Sequence, residues 1–196
     1  AYGFLRLVIP LFPEQAAAFA PVLAFLGMMG IILGAFAAYG QNDFKRLVAY
    51  SSVNHMGFVA LGIAVVAWVY GILYTQGAAP WLNLEAGQVV LPDTHSAVIA
   101  ANGAVLQMFN HGLSSAAMFL LVGALYHKAH TRDLRRMGGF WVLAPVYGGI
   151  LIMTSMASLG MPGLNGFVSE FLVIRGAWPV FTVATMLSMI GLLFTG

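Results

Sequence analysis

Four long apolar runs dominate this chain, and its charged residues are almost all confined to the segments between them. The runs cover residues 17–40, 46–74, 97–126 and 141–176. Each is long enough to cross a bilayer, because a hydrocarbon core of about 30 Å requires about 20 apolar residues in a helix. Backbone groups in lipid must be satisfied internally, which favours helices. The sequence therefore predicts an all-α, polytopic transmembrane helix bundle.

The composition excludes a soluble domain with a polar surface. Charged residues make up 7% and hydrophobic residues 61% of the chain, which leaves too few polar groups to cover a molecule in water. The absence of cysteine rules out disulfides, thiolate metal sites and cysteine nucleophiles. Eight basic residues against six acidic ones are too small an excess to indicate nucleic acid binding. We expect the lipid bilayer to surround the chain.

The two ends of the chain have the character of partial helices. Residues 1–10 lack the charged region and cleavage site of a signal peptide, and residues 186–196 stop inside an apolar run. We therefore expect residues 1–196 to be a single membrane-domain fragment of a longer polypeptide. Residues 75–96 are predicted to form an extramembrane loop within it.

Basic residues predict the orientation of the spans. The basic residues of loops 41–46 and 127–139 are Lys45, Arg46, Lys128, Arg132, Arg135 and Arg136. Lys and Arg accumulate in cytoplasmic loops, so these two loops are predicted to face the cytoplasm. Loop 75–96 contains Glu85 and Asp93 but no Lys or Arg, and it is predicted to face the opposite side.

Three ionisable side chains lie deep inside apolar runs, namely His55, His111 and Glu170. A charge at mid-helix costs roughly 2.5 to 3.5 kcal/mol on insertion scales, so such residues indicate a functional site. His55 is preceded by Ser51 and Ser52 at i−4 and i−3. Because residues at these spacings share one helical face, their hydroxyls are expected beside the imidazole.

His111 has a similar set of polar neighbours. Gln107 precedes it by four residues, and Ser114 and Ser115 follow it by three and four, so all share one helical face. An imidazole accepts and releases protons near neutral pH, and hydroxyls and amides can order water beside it. We interpret the two histidines as a proton relay rather than as neutral packing residues hydrogen-bonded between helices.

The fourth apolar run is interrupted at residues 160–166, Gly-Met-Pro-Gly-Leu-Asn-Gly. Pro162 removes a backbone donor, and Gly163 and Gly166 loosen the backbone, so we predict a broken helix here. Broken transmembrane helices are a recurring way to build ion sites at membrane depth. Glu170 follows the break by four residues. It is expected to take and release a proton, to cap the second half-helix, or to do both.

Two histidines and a carboxylate also suit a metal ion, but their spacing does not support one. No HxxxH or HxxE pair occurs inside an apolar run, and the three groups belong to three different spans. The sequence also lacks a Ser-His-Asp constellation, a glycine-rich phosphate loop and a haem signature. We therefore predict no metal site and no redox or hydrolytic centre in this chain.

The chain closely resembles one family through the strings AYGFLRLVIPLFPE, QNDFKRLVAYSSVNHMGF, LQMFNHGLSSAAMFLLVGALYHKAHTRDLRRMGG and SLGMPGLNGFVSEF. These are similar to the antiporter-like membrane subunits of respiratory complex I, and most similar to their chain M or NADH dehydrogenase subunit 4 branch. The resemblance implies an inverted-repeat antiporter-like fold. Residues 1–196 would run from the end of its helix 8 to the start of its helix 13.

The resemblance also implies a function and a set of partners. His55 and His111 match the family's central-axis histidines, and Glu170 matches the carboxylate that ends the relay on the exit side. The chain would be a proton-translocating membrane-arm subunit of NADH:quinone oxidoreductase in the bacterial inner (cytoplasmic) membrane. Its partners would be other complex I membrane subunits, including neighbouring antiporter-like chains. NADH, FMN, iron–sulfur clusters and quinone would belong to partner subunits, with no cofactor in this chain.

Two other members of the same ancestry remain as alternatives, an Mrp-type cation/proton antiporter subunit and the membrane subunit of a hydrogenase complex. A structural anchor without an ion path is a third. Two residues depart from the family pattern: Asn54 stands where Ser is more common, and Arg175 where an apolar residue is common. Five residues past Glu170, Arg175 points about 140° away around a helix, so it is expected to extend to the membrane surface.

Overall fold

The computed structural model describes residues 1–75 and 92–195, and the regular structure of this part is helical. A π-helical segment, Phe4–Val8, leads into the first α-helix, and a 3₁₀ turn, Leu134–Arg136, follows the fourth. The prediction of an all-α membrane protein is confirmed. The α-helices are α1 (Ile9–Leu11), α2 (Pro13–Tyr39), α3 (Phe44–Thr75), α4 (Pro92–Ala129), α5 (Phe140–Leu143), α6 (Pro145–Ser158), α7 (Asn165–Ala177) and α8 (Thr182–Thr195).

Three helices in the described residues are long and apolar enough to cross a membrane, namely α2, α3 and residues Thr94–Ala129 of α4. They match the first three predicted runs: α3 and α4 extend beyond theirs at both ends, whereas α2 begins before residue 17 and ends one residue before residue 40. Pro13 opens α2 and Pro145 opens α6, where the missing N–H of proline would have no helical partner in any case. Most of the predicted loop 75–96 lies outside the described residues. Its last residues already belong to α4.

The fourth apolar run is divided into two half-helices, as predicted. Helix α6 ends at Ser158 and α7 begins at Asn165, so the break comprises residues 159–164. Gly160 and Gly163 have φ angles of +69° and +99°, in the left-handed region that glycine adopts without a Cβ penalty. Gly166 lies inside α7, where a Cβ would overlap the carbonyl oxygen of Ala157. A second interruption at Ala144 separates the short α5 from α6 and was not predicted.

Helix α3 occupies the centre of the bundle, with α2, α4 and α7 packed around it. The contact with α2 is close because it is lined by glycines. A Cβ on Gly27 would lie 2.8 Å from the backbone N of Leu61, and one on Gly34 would lie 2.8 Å from that of Asn54. Such small residues let helices approach in lipid, where dispersion contacts rather than water exclusion hold them together. The main buried cluster is Ala24, Ile31, Phe58, Leu61, Ala64, Val65, Ala100, Val173 and Ala177.

The two basic loops meet at one end of the bundle. The Phe44 amide donates to the Arg132 carbonyl and the Leu134 amide to the Asn42 carbonyl, each at 2.9 Å. Asp43 and Asp133 form the isolated bridge that these bonds define. The beginning of α3 and the end of α4 are thereby joined, so the predicted common side of loops 41–46 and 127–139 has a direct structural basis.

Candidate functional site

The centre of the site is a hydrogen bond between a histidine and a glutamate from different helices. His55 on α3 and Glu170 on α7 approach each other with Nδ1 and Oε1 3.0 Å apart. The two residues are only 6% and 4% exposed. At this distance one proton lies between the atoms, because two lone pairs would repel and two protons would clash. Either the Nδ1–H of a neutral or protonated imidazole donates to the Glu170 carboxylate, or a Glu170 carboxylic acid donates to Nδ1 of a neutral imidazole.

Glu170 reaches back from α7 into the break of the fourth span. A Cβ on Gly160 would lie only 2.8 Å from Oε2 of Glu170. The left-handed glycine therefore creates the space that this carboxylate oxygen occupies. The backbone of the broken helix therefore positions the acid. A capping hydrogen bond does not contribute, because no side chain caps the start of α7.

His111 on α4 extends the row away from Glu170. Its Nε2 lies 2.9 Å from the hydroxyl oxygen of Ser52, and its ring centroid lies 5.5 Å from that of His55. Its Nδ1 is buried and has no hydrogen-bond partner among the described residues. The spatial order is therefore His111, His55, Glu170, with His55 in the middle. Ser52, which was expected beside His55, bonds instead to the histidine of the next helix.

Gln107 on α4 links the histidine and the acid. Its Nε2 lies 3.3 Å from His55 Nδ1 and 3.5 Å from Glu170 Oε1, and its Oε1 accepts a short hydrogen bond from the Ser169 hydroxyl. The reversed amide would place one acceptor oxygen against another at Glu170. Ser169 thus fixes Gln107 with its N–H groups toward the pair.

Asn110 and Ser169 belong to the site but were missed in the sequence. Asn110 Nδ2 donates to the Asn165 carbonyl at 2.8 Å and to the Ser169 hydroxyl at 3.2 Å. Each directly precedes a predicted site residue, and successive residues in a helix point about 100° apart. Because of this rotation, the predicted roles of His111 and Glu170 did not indicate that Asn110 and Ser169 face the same site. The signal available was their polarity within an apolar run.

The remaining predicted polar residues surround a cavity next to the two imidazoles. Ser51, Ser114 and Ser115 line it together with Ser155 and Ser158 of α6, which were not predicted. Its volume is about 160 Å³.

Of the residues predicted to break the fourth span, Pro162 and Gly163 lie in the break between α6 and α7.

The two departures from the family pattern lie outside the row. Asn54 packs against Gly34 of α2, is 1% exposed, and its side-chain N and O have no hydrogen-bond partner within the described ranges. Arg175 is exposed on α7, and among the described residues it forms no ion pair. Its extension to the membrane surface stays a prediction.

Among the residues that the structure describes, no group of three or more His, Cys, Asp or Glu side chains is placed to hold a metal ion.

A bundle of long apolar helices with a broken span and buried ionisable groups defines the class of multi-pass membrane proteins. The chain belongs to the family described as NADH:quinone oxidoreductase/Mrp antiporter, transmembrane, whose family model matches residues 1–78 and 87–195.

Its relatives include NADH-quinone oxidoreductase subunit M of Pseudomonas aeruginosa, 43% identical over 194 residues, and that of Escherichia coli K12, 41% identical over 194 residues. Each alignment covers 99% of this chain and 32% of the relative, so the chain spans about a third of their length. A chain in the structure of respiratory complex I from Thermus thermophilus with bound NADH has the same fold, with a TM-score of 0.80 and 27% identity. That match covers 99% of this chain and 35% of the other.

Proposed function

We propose that this chain is part of a proton-translocating membrane-arm subunit of an NADH:quinone oxidoreductase, in which His111, His55 and Glu170 relay protons. The observation that carries the proposal is the buried contact of 3.0 Å between His55 and Glu170, with His111 next to it. Removing ionisable groups from water is costly. A purely structural anchor would gain nothing from placing three of them in contact at the centre of a membrane bundle.

The geometry suggests how a proton would be passed along the row. At an effective dielectric constant of about 20, two unit charges 5.5 Å apart repel by about 3 kcal/mol. Protonation of His111 would therefore disfavour the imidazolium of His55 and move the shared proton onto Glu170. Glu170 would then hold the proton as a neutral carboxylic acid and would be the group that releases it from the end of the row. His55 acts as the middle member of the row, so the order of transfer follows contact and not position in the sequence.

The Mrp antiporter alternative belongs to the same family, and the fold is common to both. The names of the similar proteins favour the oxidoreductase, since relatives at 38% to 43% identity are NADH-quinone or NAD(P)H-quinone oxidoreductase chains. Co-purification of the full-length chain with flavin and iron–sulfur subunits distinguishes complex I from a free-standing antiporter or a hydrogenase.

The proposal includes partners and orientation. Neighbouring antiporter-like and other membrane subunits of complex I would flank the chain in the bacterial inner membrane. NADH, FMN, iron–sulfur clusters and quinone would be held by partner subunits, and electron transfer there would drive the relay. Loops 41–46 and 127–139 would face the cytoplasm, with loop 75–96 on the opposite side.

The test is proton pumping by the assembled complex with His111→Gln or Glu170→Gln in the full-length chain. Both changes remove a titratable group while keeping a similar shape, so protons moved per NADH oxidised should fall several-fold in inverted membrane vesicles. Glu14→Gln is the matched control, because Glu14 is exposed in the first turn of α2. Wild-type pumping in both site variants would refute the relay.

A further inference from the structure

A surface pocket of about 470 Å³ opens at the end of the bundle where the two basic loops meet. Its walls come from the end of α4, the segment that follows α4 and the segment that precedes α3. Two arginines, Arg132 and Arg135, and two aspartates, Asp43 and Asp133, contribute to the lining. The proposed relay assigns these four charged residues no role.

Each aspartate of the pocket has one carboxylate oxygen that is already in use. Asp43 Oδ1 accepts from the Arg46 amide and Asp133 Oδ1 accepts from the Arg135 amide, each at 3.1 Å. Among the described residues, the two Oδ2 atoms have only long ion pairs, at 3.9 Å and 3.8 Å from arginine Nε atoms. These distances exceed hydrogen-bond length, so both carboxylates retain an oxygen that can accept from a cationic group in the pocket.

The two arginines keep hydrogen-bond donors available in the same pocket. Arg135 Nε donates to the side-chain oxygen of Asn42 at 3.2 Å, and the guanidinium carbon of Arg132 lies 5.0 Å from the centre of the Tyr126 ring. Within the described ranges, the terminal N–H groups of both guanidiniums have no acceptor. A guanidinium presents its donors in a planar fork that matches two oxygens of a phosphate.

The pocket lies at the edge of the membrane-spanning region. Tyr126 is the last residue of the predicted apolar run 97–126, and it is 46% exposed. Tyrosine side chains at the ends of transmembrane helices lie at the level of the lipid headgroups. Lipid headgroups are therefore the charged molecules that the pocket meets at the highest local concentration.

The balance of charge in the pocket distinguishes between classes of headgroup. Two arginines against two aspartates leave the four side chains without net charge, so an anionic headgroup would meet repulsion as well as attraction. A zwitterionic headgroup places a phosphate and an ammonium within reach of opposite charges. A primary ammonium also carries three N–H donors for the carboxylates, whereas a quaternary ammonium carries none.

We propose that this pocket binds the headgroup of a zwitterionic phospholipid with a primary ammonium, of the phosphatidylethanolamine kind, from the leaflet on the side of the basic loops. Arg132 and Arg135 bind its phosphate, and Asp43 and Asp133 accept hydrogen bonds from its ammonium. The site holds a lipid at the junction of the two loops and does not depend on the proposed relay.

Photo-crosslinking with defined lipids tests the site in the assembled complex. The complex with the full-length chain is placed in phosphatidylcholine nanodiscs that contain a trace of a lipid with a diazirine next to its glycerol. The headgroup of this probe is ethanolamine, choline or glycerol. Mass spectrometry then measures the labelling of residues 123–135 as a share of the labelling of the whole chain.

Three variants and a matched control connect the labelling to the pocket. Asp43→Asn and Asp133→Asn remove a charge but keep an oxygen for the backbone amide that each aspartate caps. Arg135→Gln removes a guanidinium. Lys128→Gln is the control, because Lys128 is an exposed basic residue in the last turn of α4 that does not line the pocket. NADH oxidation verifies assembly of each variant.

We expect the ethanolamine probe to label this segment about five-fold more than the choline probe, the effect of about one partly exposed ion pair. Either aspartate variant should abolish this preference, and Arg135→Gln should reduce labelling by the ethanolamine probe, whereas Lys128→Gln should change neither.

Several results would overturn the lipid site. Equal labelling by the ethanolamine and choline probes would show ordinary contact with surrounding lipid. Stronger labelling by the glycerol probe would show that the basic residues alone attract anionic lipid. Loss of labelling in millimolar inorganic phosphate would assign the pocket to free phosphate, and no labelling by any probe would show that another polypeptide covers it.

Discussion

Among single residues, Ser169 connects the polar side chains of the site through its hydrogen bonds. Its hydroxyl donates to Gln107 and accepts from Asn110, and it is fully buried. Gln107 in turn directs its N–H groups at His55 and Glu170. One hydroxyl therefore holds the amide that supports the proton-sharing pair.

Ser169→Ala should weaken this arrangement. We expect a loss of about 0.5 to 1.5 kcal/mol of stability from the missing hydrogen bonds, together with slower pumping because Gln107 is free to rotate. The measurements are thermal inactivation of the detergent-solubilised complex and proton transport in vesicles. Ser188→Ala is the control, because Ser188 is equally buried and its hydroxyl donates, within the described ranges 1–75 and 92–195, to the Ala184 carbonyl of its own helix. Equal behaviour of the two variants would contradict the role assigned to Ser169.

The members of the row could be predicted from sequence, but its connections could not. His55, His111 and Glu170 are recognisable because ionisable groups are rare inside apolar runs. Which of them touch depends on how α3, α4 and α7 pack, and no local pattern encodes that packing. Ser155 was missed for the same reason, because nothing in its own segment shows that α6 faces the two histidines.

At the level of elements, glycines determine how closely α2 and α3 pack. Gly57→Ala should destabilise the bundle, since the added Cβ would lie 2.7 Å from the Gly27 carbonyl oxygen and 2.8 Å from the Ile31 amide. We expect a cost of about 1 to 3 kcal/mol from overpacking, visible as a lower inactivation temperature. Gly30→Ala is the control at the same interface, where the nearest atom would be 3.5 Å away. A similar loss in both variants would show that close approach is not the cause.

The broken helix offers a second comparison between glycines. Gly160→Ala and Gly163→Ala both force a Cβ into the left-handed region, at about 1 to 2 kcal/mol each. Only the first also crowds Glu170, because a Cβ at Gly163 meets nothing within 4 Å. We expect similar thermal stability but a much larger loss of proton pumping for Gly160→Ala. Equal pumping by the two variants would show that crowding of Glu170 does not affect proton transport, and would contradict the role assigned to Gly160.

Element boundaries show where sequence patterns end. The break between α6 and α7 was predicted, because proline and glycine interrupt an apolar run. The interruption at Ala144 was not predicted. Pro145 follows it directly and disfavours helical backbone at Ala144, but this signal is weaker than the proline and glycines of residues 160–166. The helices also exceed the apolar runs, since helical geometry continues through polar residues at the membrane boundary.

For the whole molecule, the ends of the helices fix which segments share a side. Helix α2 begins near Glu14 and ends at Tyr39, next to the segment that joins the Arg132 region. Glu14 and Arg136 are therefore at opposite ends of the bundle. The basic residues suggest that Arg136 is on the cytoplasmic side.

Cysteine labelling tests this orientation in the full-length chain. Arg136→Cys should react with an impermeant thiol reagent only from the cytoplasmic side, since the Arg136 side chain is 77% exposed. Glu14→Cys should react only from the other side. Labelling of both from one side would contradict the predicted topology, and labelling in the reverse sense would invert it.

The contact between His55 and Glu170 also limits how many protons the two side chains can share. Because there is room for a single hydrogen between the two atoms at 3.0 Å, their hydrogen bond holds one proton at a time. In the proposed relay, a second proton cannot pass between these two side chains until the first has left their hydrogen bond, so each passage through the contact moves one proton.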